Sequence, residues 1–180
     1  HVVTRRQRQM CIRDRIAGRE LGRWAVLAGN FMNAETATDL GLVTHLVDIN
    51  DVPNCIKDIH ASGKPDNKYP GKPTNENSPV VKFAKKFFSD GNMVALLAGS
   101  CPDGFDAEDK IVARQLKSLK FTAPIGLAMA SERIDATASM SLDEGLQLEL
   151  QGLDRIFSTE DALEGLSALI EGRRATYKNA

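Results

Sequence analysis

Arg173, Arg174 and Lys178 gather three cations near the end of the sequence, the side chains there with chemistry to offer an anion. An arginine presents a planar fork that matches phosphate oxygens, and a lysine a compact point charge. A solvated basic terminus is the plainer reading of the same three residues. Elsewhere the chemistry-bearing side chains stand apart. Cys11, Cys55 and Cys101 form no CxxC pair, and His1, His45 and His60 show no ligand spacing. A disulfide framework and a structural zinc site are therefore not expected, and no metal site is assigned. Sparse, unpaired thiols belong in a reducing compartment, so the cytoplasm is the expected location. GxGxxG, Walker, HExxH and GxSxG patterns are absent. The glycines of Gly18-Arg19-Glu20-Leu21-Gly22 follow no strand that would make them a phosphate loop.

Composition narrows the classes further. The 180 residues carry 23 Lys+Arg against 24 Asp+Glu, a net charge of −1. Bulk electrostatics gives no reason to expect nucleic acid as a partner. Hydrophobic residues make up 42%, enough to build a core. The apolar run Met93–Ala98 is far short of the ~20 residues a membrane-spanning helix needs, so no membrane partner is expected.

Residues 1–15 read differently from the rest. They hold Arg5, Arg6, Arg8, Arg13 and Arg15 against the single acid Asp14. Met10-Cys11-Ile12-Arg13-Asp14 resembles the translation of a transposon mosaic-end adapter, so this stretch is set aside as an adapter-derived segment. Of the 23 basic and 24 acidic residues, 18 and 23 then remain, a net of −5. Deleting this arm is expected to leave the fold unchanged.

The elements that must position any site are mostly helical. Ile16, Leu21, Trp24, Ala25, Leu27 and Ala28 recur at helical spacing up to Gly29-Asn30. Asn33 is placed to cap a helix Ala34–Leu40 that Gly41 ends. Leu42–Val47 is β-branched and apolar, and reads as a buried strand. Pro53 opens a helix to Ser62, and Gly63–Pro79 is an extended surface segment rich in proline. Helices are then predicted over Val80–Phe88, Asn92–Ala98 and Asp106–Leu119, and from Pro124. Two more open at Ser141 and Ser158-Thr159 and run to Phe157 and Ile170, with hydroxyl caps and acids in their first turns. Trp24 and Phe157 are read as core. Glu35 and Glu144 are read as helix-stabilising acids, and Asp161 and Glu164 as structural.

Two blocks carry a family resemblance. The first is Leu27-Ala28-Gly29-Asn30 with Ala34-Glu35, Ala37, Leu40-Gly41-Leu42-Val43 and Val47. The second is Ala123-Pro124-Ile125-Gly126-Leu127, Glu144-Gly145-Leu146, Glu149, Phe157-Ser158-Thr159-Glu160-Asp161, Glu164-Gly165, Ala168 and Arg173. Together they resemble the C-terminal portion of the crotonase superfamily, the enoyl-CoA hydratases and isomerases. The resemblance implies an α/β fold, a superhelix of ββα turns, of which this chain keeps mainly the C-terminal helical part and about one strand. It divides the chain into 16–50 (end of the core), 51–120 (an insertion) and 121–180 (a helical oligomerisation region).

The same resemblance implies an acyl-CoA thioester substrate, an enolate-like state held by two backbone N–H groups, and a homotrimer or hexamer. Coenzyme A enters as part of the substrate, with no separate cofactor. The oxyanion-hole and acid motifs of the family fall before Ile16, so no catalytic residue is carried over and the chain alone is expected to lack hydratase activity. The family's CoA-contacting aromatic and lysine positions match Leu169 and Gly172, which depart from the pattern. Arg173, Arg174 and Lys178 stay as the candidate CoA phosphate contacts. The long 51–120 connection is similar to that of 3-hydroxyisobutyryl-CoA hydrolases and of hydrolases of alicyclic 6-oxo acyl-CoA thioesters, so an acyl-CoA hydrolase stands second to a hydratase/isomerase. A non-catalytic helical oligomerisation module is the alternative outside enzymology. Exposed apolar helix faces are expected to make the isolated chain self-associate.

Overall fold

The computed structural model describes residues 15–29, 32–43, 45–66 and 73–180. Its elements in chain order are α1 (Arg19–Leu27), α2 (Ala34–Asp39), α3 (Val52–Ser62), α4 (Pro79–Phe87), a 3₁₀ turn (Asp90–Asn92), α5 (Met93–Leu97), α6 (Lys110–Lys120), α7 (Pro124–Thr137), α8 (Leu142–Gln151), α9 (Leu153–Phe157) and α10 (Glu160–Glu171). The chain divides into two compact units, one formed by residues up to Asn30 with Ala84–Ala180, the other by Phe31–Phe83.

In the larger unit α1 packs along α7, and α7 along α8. α1 buries Leu21, Trp24, Ala25 and Leu27, so Trp24 is core as its helical spacing predicts. Residues 15–17 are helical as that spacing suggests, but the run is interrupted at Gly18. Gly18 adopts φ +91°, a conformation open to glycine, and α1 begins after it while Ile16 stays exposed. The Arg15 guanidinium donates to the carbonyl of Thr137 (3.1 Å), the last residue of α7, and to those of Met140 and Ser141 (3.0 Å) just past it. The rest of the 1–15 segment lies outside the described residues. α6 starts at Lys110, four residues after the predicted Asp106, because the Asp109 carboxylate caps it through the Ile111 and Val112 N–H groups.

Local caps follow the sequence closely. Asn33 accepts from Thr36 N–H, and Thr159 from Ala162 N–H. Ser141 and Glu144 form a reciprocal capping box: the serine Oγ accepts from Glu144 N–H at 3.3 Å, and Ser141 N–H donates to Glu144 Oε2 at 2.8 Å. Ser141→Ala is expected to lower the unfolding free energy by about 1 kcal/mol, read from urea melts of the two proteins.

Three expectations need correcting. Among the described residues there is no strand, and the retained strand expected at Leu42–Val47 is absent. The Leu42 and Val43 N–H groups both turn back to the Ala37 carbonyl (2.9 and 3.3 Å) and close α2 around Gly41, whose φ is +72°. Donors spent on a helix end cannot pair a ladder, and no strand among the described residues offers one. Thr44, within that stretch, lies outside the described residues.

The predicted helix Ser141–Phe157 breaks at Gly152. The Arg133 guanidinium lies there so closely that a Cβ would stand 2.4 Å from its Cζ. Phe157, read as core, is 47% exposed, because it lies off the helix face on which Gly145, Glu149 and Gly152 are buried.

In the smaller unit the 73–78 loop is tied to the end of α2. Asn75 N–H donates to the Asp39 carbonyl at 2.9 Å, and Asn75 Nδ2 to Asp39 Oδ1 at 3.1 Å. Residues 67–72 of the proline-rich segment lie outside the described residues.

Candidate functional site

The C-terminal residues after α10 decide where the predicted cations go. Gly172, at φ +66°, turns the chain out of α10, and Arg173 N–H closes the helix on the Ala168 carbonyl at 3.0 Å. The following residues run back beside the start of α10. Thr176 N–H donates to Glu164 Oε1 (2.8 Å), Lys178 N–H to Asp161 Oδ1 (2.7 Å), Asn179 N–H to Asp161 Oδ2 (3.0 Å), and Asp161 N–H to the Ala180 carbonyl (3.2 Å).

This strap separates two grooves of opposite character. On one side Glu160, Asp161, Glu164 and Glu171 meet Arg173 and Lys178. Arg173 spans Glu164 with both terminal nitrogens, at 2.6 and 2.8 Å, and places Nε 2.5 Å from Glu171 Oε2. Its guanidinium, then the Thr176 N–H, hold the Glu164 carboxyl down at about 2, while the two glutamates raise the Arg173 pKa. Glu164 and Asp161 are thus structural, as read from the sequence. Because Glu164 titrates lower in the fold than its ordinary 4.5, its clamp is complete above pH 4.5 and is lost as pH falls toward about 2. A carboxyl-carbon NMR titration of Glu164 should show that depressed midpoint.

On the other side the lining is basic and aromatic. Arg114, Lys117, Ser118 and Phe121 come from α6 and the residue after it, and Arg174, Ala175 and Tyr177 from the strap, around a groove of about 440 Å³. Arg114 and Lys117 stand three apart on α6 and so share a face. The Arg174 guanidinium lies 5.0 Å from the centre of the half-exposed Phe121 ring. None of the lining residues is acidic. Such a site offers three cations to phosphate oxygens and a ring face to a planar group.

The three predicted phosphate contacts are therefore not brought together. Arg174 enters the basic groove, whereas Arg173 and Lys178 line the acidic one. Arg114, Lys117 and Phe121 were missed, and the only local signal for them is a pair of cations on one helix face followed by an unburied aromatic. Leu169, at the family's aromatic position, is 77% exposed. Glu144 serves the capping box, with its carboxyl lowered chiefly by the Ser141 hydroxyl, and Glu35 stands in the first turn of α2. No group of three or more His, Cys, Asp or Glu among the described residues could hold a metal. No helix of the described residues is long and apolar enough to cross a membrane.

The smaller unit holds a separate, mostly apolar groove of about 600 Å³, lined in part by Leu42, Leu46, Cys55, Ile56 and Ile59.

Comparison with known proteins gives a consistent assignment. The protein-family model described as enoyl-CoA hydratase/isomerase matches residues 10–178. "Enoyl-CoA hydratase, mitochondrial" from Pongo abelii is 31% identical over 90 residues, 50% of this chain and 30% of that protein. A probable enoyl-CoA hydratase of Rhizobium meliloti is 31% identical over 77 residues, 41% of this chain and 30% of its own. A probable mitochondrial enoyl-CoA hydratase of Dictyostelium discoideum is 36% identical over 53 residues, 29% of this chain and 19% of its own. The chain thus spans no more than about 30% of the length of these relatives. No solved structure matches it. With the family match running almost from end to end, the chain belongs to the enoyl-CoA hydratase/isomerase family.

Proposed function

We propose that this chain is the C-terminal, CoA-facing part of an enzyme that hydrates or isomerises an enoyl-CoA thioester through an enolate-like state. The basic groove carries that reading. Arg114, Lys117 and Arg174 supply the charge that the phosphates of coenzyme A require, and Phe121 and Tyr177 supply ring faces beside them. In this proposal Arg173 and Lys178 shape the strap and do not contact phosphate. The groups that hold the thioester oxygen and move protons belong to the part of the relatives' length that this chain does not span, in the α/β core that the family resemblance implies.

Assembly into a trimer or a dimer of trimers is part of the same proposal. Leu163, Leu166, Leu169 and Ile170 leave α10 with an exposed apolar surface, the kind of surface that a neighbouring subunit would cover. The free thiols Cys55 and Cys101 suit a reducing compartment, the cytoplasm by the sequence reading.

The experiment is calorimetric titration of the 180-residue chain with crotonyl-CoA. Arg174→Ala and Arg114→Ala are each expected to weaken binding by about tenfold, or about 1.4 kcal/mol. Added salt should weaken the wild-type complex further, because the cations are solvent-exposed. Unchanged affinity in both variants would remove the groove from the account.

A further inference from the structure

We infer that the C-terminal strap is the positioning device of the phosphate groove, and that Asp161 and Glu164 are the positioning residues that hold it. The inference rests on the reading of Arg114, Lys117 and Arg174 as phosphate ligands. It goes further by making their joint geometry depend on two carboxylates that touch none of them.

The strap's residues divide between its two sides. Arg173, Thr176 and Lys178 line the acidic groove, and Arg174, Ala175 and Tyr177 line the basic one. All the backbone anchoring lies on the acidic side. Glu164 takes the Thr176 N–H, and buried Asp161, 2% exposed, takes the Lys178 and Asn179 N–H groups with its two oxygens while its own N–H fixes Ala180. Tyr177 lies against α10 at Gly165, where even a Cβ would come within 3.3 Å of its hydroxyl oxygen.

Strap residues thus supply one wall of the groove, and α6 supplies the facing cations from a packed helix. Without the two carboxylates, the strap beyond Arg173 would lose the bonds that fix Thr176, Lys178 and Asn179, and the wall that carries Arg174 and Tyr177 would have to be ordered each time an anion bound. Ordering cost of that kind is what preorganisation removes from a binding equilibrium. A non-helical segment tied by so few bonds is also an element that can open locally while the helices beneath it stay folded.

The test titrates inorganic pyrophosphate into the full 180-residue chain and follows helix content by circular dichroism. Asp161→Ala and Glu164→Ala are expected to weaken pyrophosphate binding by about fivefold or more with helix content kept. Asp161→Asn and Glu164→Gln, which retain one acceptor oxygen, should recover part of that loss. Thr176→Pro removes the N–H that Glu164 receives and lies outside every helix, so it separates the strap from the stability of α10. It should weaken binding, whereas Thr176→Ala should not. If the helix variants lose their helix content, the Thr176 pair alone decides the matter. Wild-type affinity in Thr176→Pro, with Arg174→Ala weakened, would overturn the strap's role and leave the phosphate reading standing. No pyrophosphate binding by the wild-type chain would overturn both.

Discussion

Replacing Asp90 and Asp135 together by alanine is expected to cost about 3 kcal/mol of stability, and more than replacing Arg23 by methionine. Arg23 is 2% exposed and among the largest fully buried side chains. Its Nη1 donates to the Phe88 carbonyl at 3.2 Å and to Asp90 Oδ1 at 2.6 Å, and Nη2 donates to Asp135. Its Nε has no hydrogen-bond partner among the described residues. The two carboxylates are 68% and 45% exposed, so they can return to water at little cost, but the guanidinium cannot. Removing the acids leaves a buried charge uncompensated, a loss that runs about 3–5 kcal/mol for fully buried pairs and sits at the low end for partners this exposed. Removing the arginine while keeping its apolar stem leaves only the Phe88 carbonyl short of a donor, which costs about 1–3 kcal/mol.

Arg23 also holds the Asp90 carboxyl below its ordinary 3.8, first through the hydrogen bond and then through charge. Its contribution is therefore present above that value and lost as pH falls through the lowered one. Urea unfolding of the three proteins at neutral pH gives the ranking. A double-alanine variant as stable as wild type would show that the pair carries no net weight.

Phe87→Ala is expected to cost about 3–5 kcal/mol, the range for emptying a buried aromatic site. Phe87 is fully buried at the end of α4. Its ring meets Phe88 edge-on at 5.3 Å and Phe105 at 4.9 Å between centroids, so it joins the helix to the loop before α6. Such pairs add about 0.5–1.5 kcal/mol beyond area burial. Thermal unfolding should show a midpoint lower by many degrees, together with a loosened loop around Phe105. A shift of only a degree or two would mean that the site collapses onto neighbouring side chains.

What could be read directly from the sequence was local. A side-chain oxygen three residues before a helical N–H is a short-range pattern, and Asn33, Ser141 and Thr159 all cap as their spacing predicts. Trp24 is buried because its neighbours Leu21 and Leu27 repeat at helical period. What failed was tertiary in origin. Leu42–Val47 has the composition of a strand, but a strand exists only with a partner, and the Leu42 and Val43 donors are used by the end of α2. Phe157 failed for a different reason: its position lies off the helix face that buries Gly145, Glu149 and Gly152, a phase that only packing reveals. The site divided in the same way. Arg173, Arg174 and Lys178 were identifiable as cations, but which groove each enters depends on the carboxylates of α10. Arg114 and Lys117 join Arg174 only through the folding of the strap.

Hydrogen exchange of the 180-residue chain, with and without saturating coenzyme A, tests the central claim most directly because it reports where the ligand sits. The account predicts slowed exchange at 114–121 and 174–177, with the apolar groove of the smaller unit unchanged. Protection confined to 42–59, or no protection anywhere, would contradict it.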